Sequence, residues 1–224
     1  PDGIVEENNN PTLQRANSLK RIELSYDEHF NAIKDADDDD FIMLSDNDEI
    51  PNLDSEDFKK NKNDIVIFNQ LFFYFKFNLL YDRMLWPGTK GCRKKNLKSF
   101  SWLRNIKFKK YPIWRIDTYF SNTKYSNLNI INDGGWHFTN LKSPEDMFEK
   151  FMNFGHHDEF KLSGITVDKI RDKISKREMF YDHFADKSSK NKWNSDYKLK
   201  KIDTDLLPRY LASNREKYLE WFDI

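Results

Sequence analysis

Residues Phe41-Ile42-Met43-Leu44 form a short apolar run that breaks into Ser45-Asp46-Asn47-Asp48-Glu49-Ile50-Pro51. Four apolar residues suit a short buried strand, and Pro51 lacks the N–H that a central ladder needs, so the acids are expected at the strand's carboxyl end. Open α/β sheets bind their ligands outside such ends. Asp46 and Asp48, one residue apart on a strand-to-loop turn, can both aim oxygens at a hard divalent cation, which in turn holds phosphate. The same pattern also describes an acidic loop that is simply solvated. It does not fit an EF-hand, because the sixth position counted from Asp46 is Pro51, where that loop needs glycine.

A chain of 224 residues can bury one sizeable core, and length favours one domain or at most two. We expect a flexible segment over 1–11 and a single domain over 12–224. Aromatics at 16% make the chain too apolar in character to be disordered throughout. The net charge of zero conceals a segregation. From Asp35 to Asp57 every charged residue is acidic, and from Arg83 to Arg115 every one is basic. These segments either form opposed patches, pair with each other, or are solvated separately. The single cysteine, Cys92, excludes an internal disulfide framework and fits a reducing compartment, cytoplasmic or otherwise soluble. No apolar run reaches the length of a membrane span, since Ile65 to Leu80 is interrupted by Asn69, Gln70, Lys76 and Asn78.

Asn10-Pro11 reads as a cap followed by proline at the first helical position, and Leu13, Ala16, Leu19, Ile22, Phe30 and Ile33 recur at helical spacing. One helix or two in succession should therefore precede the acidic strand, with Arg15 placed early to reach a phosphate or a carboxylate. Asp54 or Ser55 can cap a short helix through Lys60. Ile65–Phe68 and Leu71–Phe77 read as β structure, with a bend or ligand contact at Asn69-Gln70, and Trp86-Pro87-Gly88 reads as a turn. Basic residues interleaved with Phe100, Trp102, Phe108 and Trp114 resemble a nucleic-acid surface, but no nucleic-acid-binding motif accompanies them, and no nucleic-acid partner is expected.

The second stretch with chemical content is Asn132-Asp133-Gly134-Gly135-Trp136-His137-Phe138. Paired glycines permit a sharp turn or a close approach of backbone. Trp136 offers a flat face for a sugar ring, and His137 can ligate a metal or donate to phosphate. Either is equally at home in a core. Ser143-Pro144-Glu145-Asp146 opens a helix, Gly155 closes it, and Thr166 caps another over Val167–Ser175. His156-His157-Asp158-Glu159 invites zinc, yet adjacent histidines on an extended chain face opposite sides. Ser213-Asn214-Arg215-Glu216 forms a capping box before a last helix.

Together these pieces resemble glycosyltransferase family 17, the β-1,4-mannosyl-glycoprotein β-1,4-N-acetylglucosaminyltransferases. The likeness rests on Gln14-Arg15, on Asp46-Asn47-Asp48-Glu49-Ile50-Pro51, on Asp133 through Phe138 and on the Ser143-Pro144-Glu145 helix. It continues through His157 with Glu159-Phe160 and through Leu207-Pro208-Arg209-Tyr210-Leu211 with Asn214. The resemblance implies an α/β GT-A-type fold with a central mixed sheet, lacking some N-terminal strands that would bind uridine. It implies a UDP-sugar donor, UDP-GlcNAc, and a glycan acceptor. Asp46 and Asp48 match the family's metal-binding Asp-x-Asp motif for Mn²⁺ or Mg²⁺, and Arg15 is placed with them on the donor. Inversion needs a carboxylate as general base, for which Asp133 and Glu159 are the candidates. Trp136 and His137 would contact acceptor or sugar. A non-catalytic carbohydrate-binding remnant and a nucleotidyl or phosphoryl transferase are the alternatives.

Overall fold

In the computed structural model the described residues are 11–55, 60–153, 157–185 and 192–224. Inside α1 and α5 several side chains, those of Arg15 and His157 among them, also lie outside the description. In chain order the first elements are α1 (Pro11–Ala32), β1 (Phe41–Leu44), β2 (Glu49–Pro51), β3 (Ile65–Tyr74), β4 (Leu79–Leu80), β5 (Trp86–Arg93), α2 (Phe100–Asn105) and α3 (Ile116–Tyr119). They are followed by β6 (Leu128–Ile131), β7 (Gly135–Thr139), α4 (Pro144–Asn153), α5 (His157–Ser163), α6 (Val167–Ser175), β8 (Lys200–Lys201) and α7 (Arg209–Ser213). The class is α/β with a mixed sheet. The chain divides into two compact units, and the sequence passes between them more than once.

One unit comprises Lys20–Leu71 and Leu85–His137. Its strands run in the order β1-β5-β3-β6, antiparallel except where β3 lies parallel to β6. A second, short antiparallel ladder joins β2 to β7. Alternation along β1 explains how both faces of the sheet are covered. Ile42 and Leu44 point into a core with Ile65, Ile67, Cys92, Phe100, Leu103 and Ile106. Phe41 and Met43 turn the other way, onto Val66, Phe68 and Ile131. Side chains such as Ile67 and Leu103, at 0% exposure, contribute on the order of 2 kcal/mol each.

β3 is a single strand through Asn69-Gln70 rather than two strands with a bend between them. The irregularity that these amides signalled is a β-bulge against β5, where the register shifts between Ile67 and Asn69. Trp86-Pro87-Gly88, expected as a turn, opens strand β5 instead. Pro87 stands opposite Asn69 at the bulge, where an absent N–H is tolerated. Gly88 is required for space: a Cβ there would lie 2.0 Å from Gln70 Oε1.

The acidic and basic segments pair with each other. Lys95 binds Asp39 at 2.5 Å and Arg104 binds Asp46 at 2.5 Å. The backbone N–H groups of Lys94 and Lys95 donate to the carbonyls of Asp40 and Asp38. The acidic loop is thus fastened along the start of the basic segment.

Among the described residues α1 runs from Pro11 to Ala32; the expected cap, Asn10, lies outside them. Its apolar stripe is not uniformly covered, however, since Leu19 is 60% and Ile22 50% exposed. Helical spacing establishes which residues share a face; it does not supply a surface to bury that face. The later turns find one, with Tyr26 against the core and Phe30 at 5.1 Å from the Phe100 ring.

The other unit holds α1 up to Leu19, Phe72–Met84 and Phe138–Ile224. The end of β3 pairs with β4 and β4 with β8, while α4 packs on α5 and α6. Its core is aromatic: Phe151, Phe160, Phe180 and Trp193 stack edge and face on one another. The predicted caps hold where Ser143 Oγ accepts from the Asp146 N–H and Thr166 Oγ1 from the Lys169 N–H. The closing capping box does not form. Arg215–Trp221 is a 3₁₀ segment with no side-chain cap, and Asn214 instead donates back to the Tyr210 carbonyl, an alternative that Asn offers its own backbone. Asn10, Gly155 and His156 lie outside the described residues, as does most of the short helix expected through Lys60. Among the described residues no helix is long and apolar enough to cross a membrane.

Candidate functional site

The acidic stretch leaves β1 in a tight turn, closed where the Glu49 N–H donates to the Asp46 carbonyl at 3.1 Å. Asp46 opens the turn and Asp48 is its third residue, positions that aspartate suits through its short acceptor side chain. β2 then carries the chain into its ladder with β7, which sets Glu49 opposite His137, Ile50 opposite Trp136 and Pro51 opposite Gly135. This register brings the two sequence motifs together. The Asp48 carboxylate stands 3.3 Å from His137 Nε2.

Three carboxylates on one turn are divided by environment. Asp46 and Asp48 keep side-chain exposures of 35% and 30%, whereas the side chain of Glu49 has none. Asp46 is neutralised by Arg104. Glu49 accepts the Trp86 indole N–H at 2.9 Å and the Asp46 backbone N–H at 3.2 Å. Burial is the largest influence on its carboxyl and raises the pKa above the ordinary value; the Trp86 hydrogen bond opposes that rise and the Asp46 charge adds to it. Trp86 also stacks on His137, with ring centroids 4.5 Å apart and planes inclined by 24°. The network therefore runs from Glu49 through Trp86 and His137 to Asp48.

A buried lysine supports it from beneath. Lys90, on β5, donates to the carbonyls of Arg104 and Ile106 at the end of α2, where an unpaired helix carbonyl welcomes a cation. Burial above all, then the charge of Arg104, pulls its ammonium down to about 8. By holding the Arg104 backbone it fixes the guanidinium that reaches Asp46. Beside it, Thr89 Oγ1 contacts Ser45 Oγ at 2.7 Å and accepts from Gln70 Nε2 at 3.3 Å. The Asn69-Gln70 amides therefore serve the interior rather than an open cleft.

Of the residues singled out from sequence, Asp46, Asp48, Asp133, Trp136 and His137 fall in this unit, and Arg15 and Glu159 in the other. Strand alternation separates Trp136 from His137. His137 faces inward with Glu49, at 5% and 6% exposure, while Trp136 shares the outer face with the half-exposed Ile50. Asp133 lies two residues before β7, outside the ladder, where its carboxylate accepts from Asn52 Nδ2 at 3.2 Å. Glu159, on α5, is ion-paired with Lys192. The Arg15 side chain lies outside the description.

Sequence reasoning missed Arg104, Trp86 and Lys90. The basic segment signalled a partner for the acids, but no spacing rule picks Arg104 from its neighbours. Among the described residues no group of three or more His, Cys, Asp or Glu side chains is gathered to hold a metal ion. A site completed by substrate phosphates needs only one or two carboxylates, and Asp46 with Asp48 offers such a pair of hard, partly accessible donors.

Comparison with family models, curated proteins and solved structures finds no match to this chain.

Proposed function

We propose that the Asp46–Glu49 turn, with Arg104, Trp86 and His137 around it, is the donor site of a metal-dependent inverting glycosyltransferase of GT-A type. Such an enzyme moves a sugar, GlcNAc by resemblance, from a UDP-sugar to a glycan hydroxyl. One observation carries it. The β2–β7 register unites the Asp-x-Asp turn with the Gly-Gly-Trp-His stretch, which are far apart in the chain, and sets Asp48 beside His137.

In this reading Asp46 and Asp48 hold Mn²⁺ or Mg²⁺, because they retain accessible oxygens while Glu49 is consumed internally. A bound divalent cation stabilises the negative charge that develops on the leaving diphosphate. Arg104 supplies a fixed positive charge at the same point, held in place by Lys90. His137, aligned by Trp86, contacts the donor phosphate or sugar. Trp136 on the outer face, beside Ile50, packs an acceptor sugar ring. Of the two candidate bases, Asp133 is the one in the same unit as Asp46 and Asp48, and this reading keeps it to deprotonate the acceptor hydroxyl.

A second reading draws on the same contacts. Arg104 already pairs with Asp46, and His137 stands against Asp48, which suits a carbohydrate-binding protein that uses no nucleotide. Thermal-shift titration decides between them. With Mn²⁺ present, UDP-GlcNAc should stabilise the native chain by about 2.7 kcal/mol at a hundredfold excess over its Kd, and Asp48→Asn should abolish the effect. No response to the nucleotide sugar with metal overturns the proposal, and stabilisation by a glycan alone favours the second reading.

A further inference from the structure

The excursion between α2 and β6 presents an apolar surface that the donor-site reading does not use. It is closed at its base, where the Lys107 N–H donates to the Thr123 carbonyl and the Tyr111 N–H to the Tyr125 carbonyl. Around α3, Ile113, Trp114, Ile116, Tyr119 and Phe120 are 68 to 86% exposed. Scattered apolar residues on a surface need no explanation, but five large ones within eight positions do.

The charges of the same excursion are mostly positive. Lys107, Lys109, Lys110, Arg115 and Lys124 face a single acid, Asp117. That acid is already held at 2.7 Å by both Arg115 and Lys124, and its pKa is lowered to about 2, first by the Arg115 hydrogen bond and then by that of Lys124. Lys109, Arg115 and Lys124 also gather over the Tyr111 ring, at 5.7, 5.4 and 5.8 Å from its centroid. The result is an ordered cationic collar around exposed Trp, Tyr, Phe and Ile side chains.

We infer that this excursion docks the protein on an anionic lipid bilayer surface. Trp and Tyr are suited to the interface between headgroups and acyl chains, where an apolar ring and a polar edge are both satisfied. Lysines close to the surface add attraction to anionic headgroups. Single-stranded nucleic acid also combines stacking with positive charge. Ile113 and Ile116 favour lipid, because a branched aliphatic side chain offers a base nothing to stack on, whereas acyl chains accept it as readily as an aromatic. Attachment of this kind is peripheral and reversible.

Cosedimentation with vesicles tests the inference on the whole chain. The protein should bind phosphatidylcholine–phosphatidylserine vesicles, bind phosphatidylcholine vesicles far less, and be released by salt. The double variant Lys109→Glu/Lys110→Glu should weaken binding by at least about twentyfold, at roughly fivefold per charge removed. Trp114→Ala/Phe120→Ala should weaken it by about tenfold or more. Both variants alter exposed side chains, so unchanged circular dichroism and melting temperature will show that they remain folded. Equal binding to both vesicle types, or binding to neither, overturns the inference. So does retention on single-stranded oligonucleotide without vesicle binding, or self-association that Trp114→Ala/Phe120→Ala abolishes.

Discussion

Glu49→Gln tests whether the buried carboxylate at the centre of the site is a burden on the fold or a support. Glutamine keeps the shape and can still accept the Trp86 N–H through its carbonyl, but it presents an amide N–H to the Asp46 N–H, which then lacks its acceptor. That loss costs about 1 to 2 kcal/mol at any pH. The charge acts in the opposite direction. Burial raises the folded-state pKa of Glu49 above the ordinary value of 4.5, so between those two values the native state binds more protons than the unfolded state. Wild-type stability must therefore increase as pH falls through that window, relative to a glutamine that does not titrate. The gain is about 1.4 kcal/mol for every tenfold by which folding tightens the carboxyl's hold on its proton. The assay is urea unfolding of both proteins from pH 7 down to the lower end of the window, taking the difference in free energy at each pH. The expected curve shows wild type gaining on the variant as acid is added. A flat difference, or one in which wild type loses ground, would mean that Arg104 and Trp86 outweigh burial, and the account of the site electrostatics would fail.

Two further tests address the supports of the site. Lys90→Met removes an ammonium whose pKa falls from 10.5 to about 8 on folding; below pH 8 both states are protonated, and between pH 8 and 10.5 the unfolded state alone keeps the proton. Wild-type stability should thus rise relative to Lys90→Met across that interval, by up to about 3 kcal/mol in urea unfolding, and an unchanging difference would refute the buried position of the amine. Gly135→Ala should destabilise by on the order of 3 kcal/mol in the same assay, because φ is +109° and a Cβ would meet the Ile50 carbonyl oxygen at 2.2 Å; a neutral effect would argue against the β2–β7 register.

The parts of the fold visible in the sequence are those set by neighbours in the chain. β1 follows from four apolar residues and its end from the acids, and the Ser143 and Thr166 caps from their hydroxyls. What the sequence hid depends on partners far along the chain. Gly88 reads as a turn glycine because nothing local shows that Gln70 fills the space where its Cβ would be. The charge segregation left open whether the two segments pair, and the register comes only from the antiparallel β1–β5 ladder, which places Phe41 opposite Arg93 and Leu44 opposite Lys90. Asn214 carried a helix-starting pattern, yet its amide found the Tyr210 carbonyl behind it.

The site shows the same limit with a functional consequence. The sequence offers Trp136 and His137 together as acceptor or sugar contacts, but adjacency on a strand places side chains on opposite faces. The aromatic ring against His137 is Trp86, contributed by a strand that sequence treated as a turn. The chemistry at Asp48 is consequently set by a chain of contacts through three segments: Glu49 orients Trp86, Trp86 orients His137, and His137 meets the carboxylate. Removing the indole should therefore change the behaviour of Asp48 without touching it, whereas removing Trp136 should leave Asp48 as it is. Comparing Mn²⁺ binding by Trp86→Leu and Trp136→Leu separates the two faces, and an equal effect of both would show that the strand does not divide the site in this way.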